Sequence, residues 1–257
     1  MSVAEVIAVG LGIARRQVVR TLKTPYLLLP VLLFPLLIFA AFVGGASGVA
    51  KTPGFDYYNY TAFVFVYVLL LGSAMSGTQT GVAVAQDFES GFARRMLIST
   101  PRRAALLVGC AVSGLALQTG LAAVTFLIAL AAGMPIKGNV LEVVGLFALA
   151  ALFNLVASLW ASGLAFRARS TQAGAAMMLP IVLPMFFAPS LVPRNLLTDW
   201  LHSVADVNPL TAMLEAGRGL LAGHPVSVAL AFGVAGGLLA LATPWAVSGL
   251  RAAERGA

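Results

Sequence analysis

Residues 86–103, QDFESGFARRMLISTPRR, form the longest densely charged stretch of the chain and separate two long uncharged apolar runs. The charged side chains in this stretch are those of Asp87, Glu89, Arg94, Arg95, Arg102 and Arg103. If the apolar runs lie in a membrane, so many charges cannot lie in the hydrocarbon with them. We therefore expect the stretch to be a loop at a membrane surface that contains a short helix.

The composition is that of an integral membrane protein. Of the 257 residues, 60% are hydrophobic and only 10% are charged, whereas a soluble domain has about 25% charged residues. Uncharged apolar runs of about 20 residues are long enough to cross the hydrocarbon core as helices. We predict one all-α transmembrane domain, residues 1–257, with six spans. The predicted spans are residues 25–43, 60–85, 104–133, 143–166, 170–193 and 225–250.

Residues 2–23, before the first span, have an amphipathic pattern. Apolar side chains recur at helical spacing, while Arg16, Arg20 and Lys23 fall on the opposite face. Such a helix lies in the membrane interface with its basic face available to anionic lipid. The basic residues follow the apolar positions instead of preceding them, which argues against a cleaved signal peptide.

Residues 194–223, before the last span, hold five charged side chains, which are too many for a free-standing span. Their apolar residues nevertheless recur at near-helical spacing. Asn208 followed by Pro209 is typical of a helix start, because asparagine caps free amides and proline has no amide hydrogen to lose. We predict two short re-entrant helices that dip into the outer leaflet. They are residues 197–205 and 209–221, the second of which carries Glu215 and Arg218.

The basic residues predict the orientation of the chain. Twelve of the 16 Lys and Arg residues lie in the N-terminal segment, in residues 86–103, at Arg167 and Arg169, and in the C-terminal tail. Because Lys and Arg concentrate in cytoplasmic loops, we expect both termini and the charged loop on the cytoplasmic side of the inner membrane. The net charge of +7 has this topological explanation, and no aromatic platform for nucleic acid accompanies it.

The predicted spans contain ionisable residues only near their ends. A proton- or sodium-coupled carrier keeps such groups at mid-membrane, so any uphill transport would need energy from another subunit. Gln79, Gln118 and Asn154 either line a pathway or join helices, and the glycine pair Gly77 and Gly81 favours ordinary helix packing. A transport pathway lined by such apolar spans suits a lipophilic or amphipathic substrate.

The chain lacks the sequence patterns of several classes of enzyme. The chain has no G-x-x-x-x-G-K-[ST] motif for nucleotide phosphates and no G-x-S-x-G nucleophile elbow. His202 and His224 are isolated and lack the spacing of metal ligands. We expect the chain not to be an enzyme by itself and to bind no metal or cofactor.

The aromatic cluster at Phe55, Tyr57, Tyr58 and Tyr60 is typical of an interfacial belt.

The charged loop has the pattern of a helix offered to a partner protein. Phe88 and Phe92 are four residues apart, so one helix would place them on the same face, which Arg95 and Ser99 continue. An aromatic pair among charges of both signs fits a cleft on a partner and is held in register by ion pairs.

Two segments resemble the permease subunit of ABC-2 type transporters, especially the daunorubicin-resistance type of actinobacterial exporters. Asp87–Phe92, followed by Ser99-Thr100-Pro101, is similar to the cytoplasmic acidic-x-Gly loop of that family, which ends in Thr-Pro. Asn208-Pro209-Leu210-Thr211, followed by Glu215 and Arg218, is similar to its segment before the last span. The plan of six spans extends the resemblance over nearly the whole chain.

The resemblance implies that two permeases, identical or related, pair and that each binds a separate ATPase subunit, which holds ATP and Mg. The residues of this chain that would contact the ATPase are Asp87, Phe88, Glu89, Gly91, Phe92 and Arg95. The implied function is export of a hydrophobic or amphipathic compound, drug-like or lipid, across the cytoplasmic membrane. Export of a polysaccharide or glycolipid, and a non-transporting role as scaffold or sensor, remain alternatives.

Overall fold

The computed structural model describes residues 3–99 and 104–255, and within them the side chains of all but residues 3, 4, 6, 27, 94 and 97–99. The described residues form ten α-helices and no strand, which confirms the predicted all-α membrane class. The helices are α1 (Val3–Lys23), α2 (Pro25–Gly45), α3 (Tyr60–Glu89), α4 (Phe92–Ser99), α5 (Ala104–Ala131), α6 (Val140–Ala168), α7 (Gly174–Phe186), α8 (Asp199–Val207), α9 (Pro209–Ala222) and α10 (Val228–Arg255).

Five of the described helices, α2, α3, α5, α6 and α10, are long and apolar enough to cross a membrane, and each overlaps a predicted span. The predicted span 170–193 has a different form. Its helix α7 has 13 residues, about 20 Å, which is shorter than the hydrocarbon core of roughly 30 Å. Pro180 and Pro184 lie inside α7 and remove backbone donors. The sixth crossing therefore remains a prediction.

Helix α3 lies at the centre of the bundle, since 94% of its most apolar stretch is buried against 17% for α2 and for α10. It packs closely on α6 at the predicted glycine pair. A Cβ atom at Gly77 would lie 2.7 Å from the Cβ of Ala157, and one at Gly81 would lie 2.6 Å from the backbone of Ala161. Real side chains do not approach so closely, so glycine at both positions sets the distance between the helices.

Helix α1 packs lengthwise on the beginning of α5. A Cβ atom at Gly10 would lie 2.8 Å from Val108, one at Gly109 would lie 2.7 Å from Ile13, and Ser113 donates to Gln17 at 2.6 Å. Residues further along α1 contact residues further along α5, so the two helices run in the same direction there. One face of the predicted interfacial helix is thus occupied by α5. The apolar side chains that stay exposed include Ile7, Leu11, Val19 and Leu22.

Helices α8 and α9 occupy nearly the ranges predicted for the two short helices before the last span. The side-chain oxygen of Asn208 accepts from the backbone amide of Leu210 at 3.0 Å, so Asn208 caps α9, and Pro209 is its first residue. The amide nitrogen of Asn208 donates to the carbonyl of Pro184 at 2.6 Å. The same side chain therefore starts α9 and fastens it to α7.

Candidate functional site at the junction of α3 and α4

The loop that was predicted to begin at residue 86 begins later, because α3 continues through Glu89. The chain then turns at Ser90 and Gly91, and Gly91 adopts a left-handed conformation with φ of 71°, which glycine tolerates best. Helix α4 begins at Phe92. The prediction that Phe88 and Phe92 share one face of a single helix is wrong, because the turn places them on two different helices.

Asp87, in the last turn of α3, binds two arginines of α1. Both terminal nitrogens of Arg16 donate to its two carboxylate oxygens at 2.8 Å, and Arg20 donates to one of them at 2.9 Å. Only 5% of the Asp87 side chain is exposed. Asp87 is therefore not on the surface offered to a partner, which corrects that prediction. Arg16 and Arg20 bind Asp87 but stay 37% and 32% exposed, so their contact with anionic lipid stays a prediction. Lys23 is exposed.

Phe92 joins α4 to the same arginine. The guanidinium carbon of Arg16 lies 3.6 Å from the centre of the Phe92 ring, a favourable cation–π distance. Since Arg16 also binds Asp87 in α3, one side chain holds α1, α3 and α4 together. Any movement of α4 would therefore pull on α1.

Glu89 joins the end of α3 to the connection between α6 and α7. Its carboxylate accepts from the backbone amide of Thr171 at 2.7 Å, from the hydroxyl of Thr171 at 2.9 Å and from that of Ser170 at 3.2 Å. The Glu89 side chain is nevertheless on the surface. We call the contacts of Glu89 with Ser170 and Thr171 the Glu89 clamp. The clamp lies within the chain, and the Glu89 side chain is still accessible to a partner protein.

Phe88 and two arginines extend the contacts to α10. The Phe88 ring packs edge-on against Phe166 of α6, with ring centres 6.2 Å apart. Arg169, which follows α6, lies over Phe88 at 5.7 Å and donates to the backbone carbonyl of Ala253 at 3.1 Å. Arg167 stacks on Trp245 at 3.7 Å. The junction of α3 and α4 is thereby linked to the end of α10.

The remaining predicted contact residues lie on the accessible side of the junction. Arg95 is exposed and Gly91 is half-buried. The Thr-Pro ending of the loop, with Arg102 and Arg103, lies outside the described residues, as does the side chain of Arg94.

The polar residues of the spans differ in their surroundings. Asn154 is fully buried and donates to the carbonyl of Ser73 and the hydroxyl of Ser76 at 3.0 and 2.9 Å, so it joins α6 to α3 and does not line an open path. Gln118 is buried, and its side-chain oxygen has no hydrogen-bond partner among the described residues. Gln79 is half-buried.

A second polar cluster lies at the opposite end of α3. Arg218 of α9 is 3% exposed and donates to Glu215 at 3.0 Å, and its guanidinium lies 3.5 Å from the centre of the Phe63 ring. Tyr57 donates to Glu215 at 2.7 Å, and Tyr60 is almost fully buried. These tyrosines pack inward against α9 and the start of α3, and their position at the membrane interface stays a prediction.

Ser170 and Thr171 were not predicted to be partners of Glu89, and Tyr57 was not predicted to be the partner of Glu215. These pairs lie 81, 82 and 158 residues apart in the chain, and no local pattern connects them. The only signal was a pair of hydroxyl residues directly after the basic end of α6.

The long apolar helices are those of a multi-pass membrane protein. A polar cluster at each end of the central helix α3 holds that helix to its neighbours. The sequence profile of the family described as ABC-2 type transporter matches residues 11–222. The chain belongs to this family, and it is therefore a membrane subunit of a transporter that works with an ATPase. No curated protein matches the chain significantly.

Proposed function

We propose that this chain is the permease subunit of an exporter that moves a hydrophobic or amphipathic compound, drug-like or lipid, across the cytoplasmic membrane. A separate ATPase subunit, present twice in the complex, would bind ATP and Mg. A second permease, identical or related, would complete the pathway. The observation that carries this proposal is the set of contacts that fasten α4 and the end of α3 to α1, α7 and α10.

The ATPase would press on the exposed side of the junction. Glu89, Ser90 and Arg95 are exposed, and Phe92 is half-buried, so they form a small surface with both charge signs and an aromatic ring. Such a surface suits a cleft on a partner. We place the contact on these four residues and leave out Asp87, which is buried beneath them.

The force would reach the spans through two paths. Arg16 passes a displacement of α4 to α1 and α5, and the Glu89 clamp passes it to the start of α7. In the first path, α4 meets Arg16 through the cation–π contact with Phe92. The bonds of Arg16 to Asp87 and of Glu89 to Thr171 are charge-assisted hydrogen bonds, which are short and directional. Helix α7 is short and contains two prolines, which makes it the element best able to move relative to the long spans.

The nature of the substrate is inferred from the spans. The buried hydroxyl groups of α3 mostly bond to carbonyls of their own helix, as Ser73 does to Leu69 at 2.8 Å and Thr80 does to Gly77 at 2.8 Å. Few free polar groups are left to coordinate an ion or a sugar. A route along such helices is apolar, which favours a hydrophobic or amphipathic compound.

The experiment is purification of the permease from native membranes, with associated ATP hydrolysis as the measurement. We expect Glu89→Lys and Phe92→Ala to lose the ATPase, because both alter the exposed surface. Thr171→Val is the matched control, since it weakens the internal clamp and leaves that surface unchanged. Undiminished association in Glu89→Lys and Phe92→Ala would place the contact elsewhere. Purification without any nucleotide-binding subunit would favour a scaffold or sensor.

A further inference from the structure

A cavity of about 300 Å³ opens at the end of the bundle opposite α4. It lies where the segment before α3, the connection between α5 and α6, and the end of α9 meet. The side chains that decide its chemistry are Asp56, Tyr57, Tyr58, Lys137, Glu215 and Arg218. Neither the contact with an ATPase nor the passage of force requires this cavity.

The walls of the cavity are fixed by one backbone carbonyl. The carbonyl oxygen of Leu221, near the end of α9, accepts from the backbone amides of Lys137 and Gly138 at 3.2 and 3.0 Å. The Tyr58 hydroxyl donates to the carbonyl of Pro135 at 2.9 Å and also lies 3.3 Å from the Leu221 oxygen. Three separate parts of the chain are thus held in one arrangement. A cavity built in this way needs little reorganisation to bind a ligand.

The floor of the cavity is the ion pair of Arg218, whose side chain is 3% exposed, and Glu215, whose side chain is 24% exposed. Arg218 binds Glu215 and also donates to the backbone carbonyl of Ser190 at 3.0 Å, while Glu215 accepts from Tyr57. Burial raises the pKa of Tyr57, so its hydroxyl stays a hydrogen-bond donor at physiological pH. Withdrawing the Arg218 guanidinium from water is costly. The cost is understandable if the charges recognise a ligand.

The rim carries one charge of each sign. The carboxylate of Asp56 is exposed, and the ammonium group of Lys137 lies 4.8 Å from the centre of the Tyr58 ring. Together with the floor, the lining has two carboxylates and two cationic side chains, beside a histidine. A ligand with one net charge would be repelled by one part of this lining. A net-neutral ligand with separated charges finds a complement to each.

One apolar residue of the lining is exposed, and other exposed apolar side chains follow lining residues closely in the chain. Val226 is part of the lining and is 56% exposed, and Leu230, about one turn further along the chain in α10, is 59% exposed. Val140 and Leu141, at the start of α6 shortly after Lys137, are also largely exposed. A polar cavity beside exposed apolar side chains matches the two parts of an amphiphile.

We propose that this cavity binds the polar head of a zwitterionic amphiphile, with its apolar chains lying over Val226 and Leu230. The phosphate would face Lys137, and the ammonium group would face Asp56. A phosphoethanolamine lipid has this chemistry. The proposal is independent of the partner ATPase, because binding to the isolated permease suffices to test it.

The test is native mass spectrometry of the permease, purified in an uncharged detergent and titrated with dimyristoyl phosphatidylethanolamine or dimyristoyl phosphatidylglycerol. We expect the wild type to prefer the ethanolamine lipid by about fivefold, as roughly 1 kcal/mol of charge complementarity would give. Asp56→Asn should remove most of this preference, because it removes the partner of the ammonium group. Asp56→Asn should in addition shift the preference towards the anionic glycerol lipid. Lys137→Gln should weaken the binding of both lipids, because both carry the phosphate that faces Lys137.

Lys51→Gln and Asp199→Asn are the matched controls, because both residues are exposed and neither lines the cavity. They should leave the lipid preference unchanged. Equal binding of the two lipids by the wild type would overturn the proposal. So would equal loss of preference in the control variants. Displacement of the lipid by glycerophosphoethanolamine at an equal concentration would show that the chains contribute nothing and would overturn the assignment of an amphiphile.

Discussion

Arg16 and Asp87 lie 71 residues apart in the chain, yet the two terminal nitrogens of Arg16 meet the two carboxylate oxygens of Asp87 at 2.8 Å each. This fork-shaped pair fixes the N-terminal helix to the end of the central helix. Arg16 also covers the Phe92 ring of α4. A single side chain therefore determines the relative positions of α1, α3 and α4.

Replacement of Arg16 by alanine is expected to destabilise the permease by about 2 kcal/mol, because it removes two charge-assisted hydrogen bonds and the contact with Phe92. Arg20→Ala should cost less, since it donates only one hydrogen bond to Asp87. The measurement is the thermal melting temperature in detergent. Lys23→Ala, at an exposed position of the same helix, is the control. Equal melting temperatures for the three variants would contradict the proposed role of Arg16.

The Glu89 clamp should affect coupling more than assembly. Thr171→Val removes a hydroxyl donor to Glu89 and leaves the backbone amide of Thr171 in place. We expect ATP-driven transport to fall by about fivefold, within the range of coupling energies of 0.5–2 kcal/mol, while the ATPase stays bound. The measurement is transport per ATP hydrolysed in reconstituted vesicles.

Thr243→Val is the control for the clamp, because Thr243 bonds only to a carbonyl of its own helix in the described structure. It should transport like the wild type. If Thr171→Val released the ATPase as completely as Glu89→Lys, the clamp would belong to the partner contact itself.

The contact between α3 and α6 should not tolerate a methyl group. A Cβ atom at Gly81 would lie 2.6 Å from the Ala161 backbone, so Gly81→Ala is expected to destabilise the protein by about 1–3 kcal/mol through overpacking. At Gly120 of α5 a Cβ atom meets no other atom within 4 Å. Gly120→Ala should therefore be neutral or slightly stabilising. Melting temperatures of the two variants in detergent compare them directly.

Asn208 has two bonds that substitutions can separate. Asn208→Asp keeps the oxygen that caps α9 and loses the donor to the Pro184 carbonyl, while Asn208→Ala loses both. We expect alanine to cost about 1 kcal/mol for the cap alone and more when the bond to α7 is included. The measurement is the melting temperature of each variant. Aspartate as damaging as alanine would mean that the bond to α7 dominates.

The orientation can be tested by labelling with a membrane-impermeant maleimide. Cys110 is the only cysteine and is buried, so the background should be low. A cysteine introduced at the exposed Ser90 should react only in inverted vesicles, and one introduced at the exposed Lys51 should react only from outside intact cells. Labelling of the Ser90→Cys variant from outside would reverse the topology and exclude the proposed site of ATPase contact.

Local patterns were enough to predict where most of the helices lie. Six apolar runs and their charged flanks predict a helical membrane protein, because hydrocarbon leaves the backbone no partner except itself. Asn208 and Pro209 predict the start of α9, because capping depends on neighbouring residues only. The glycine pair Gly77 and Gly81 predicts close helix packing, which the contact with α6 confirms.

What the charged residues do was decided only by the tertiary structure. The sequence predicted that Arg16 contacts lipid and that Asp87 contacts a partner protein. The fold brings these two residues together and buries the carboxylate of Asp87. The phenol of Tyr57 meets Glu215 across 158 residues of chain. Charge and hydrogen bonding act over a few ångströms in space, and the distance along the chain does not reveal which groups the packing of helices will place within that reach.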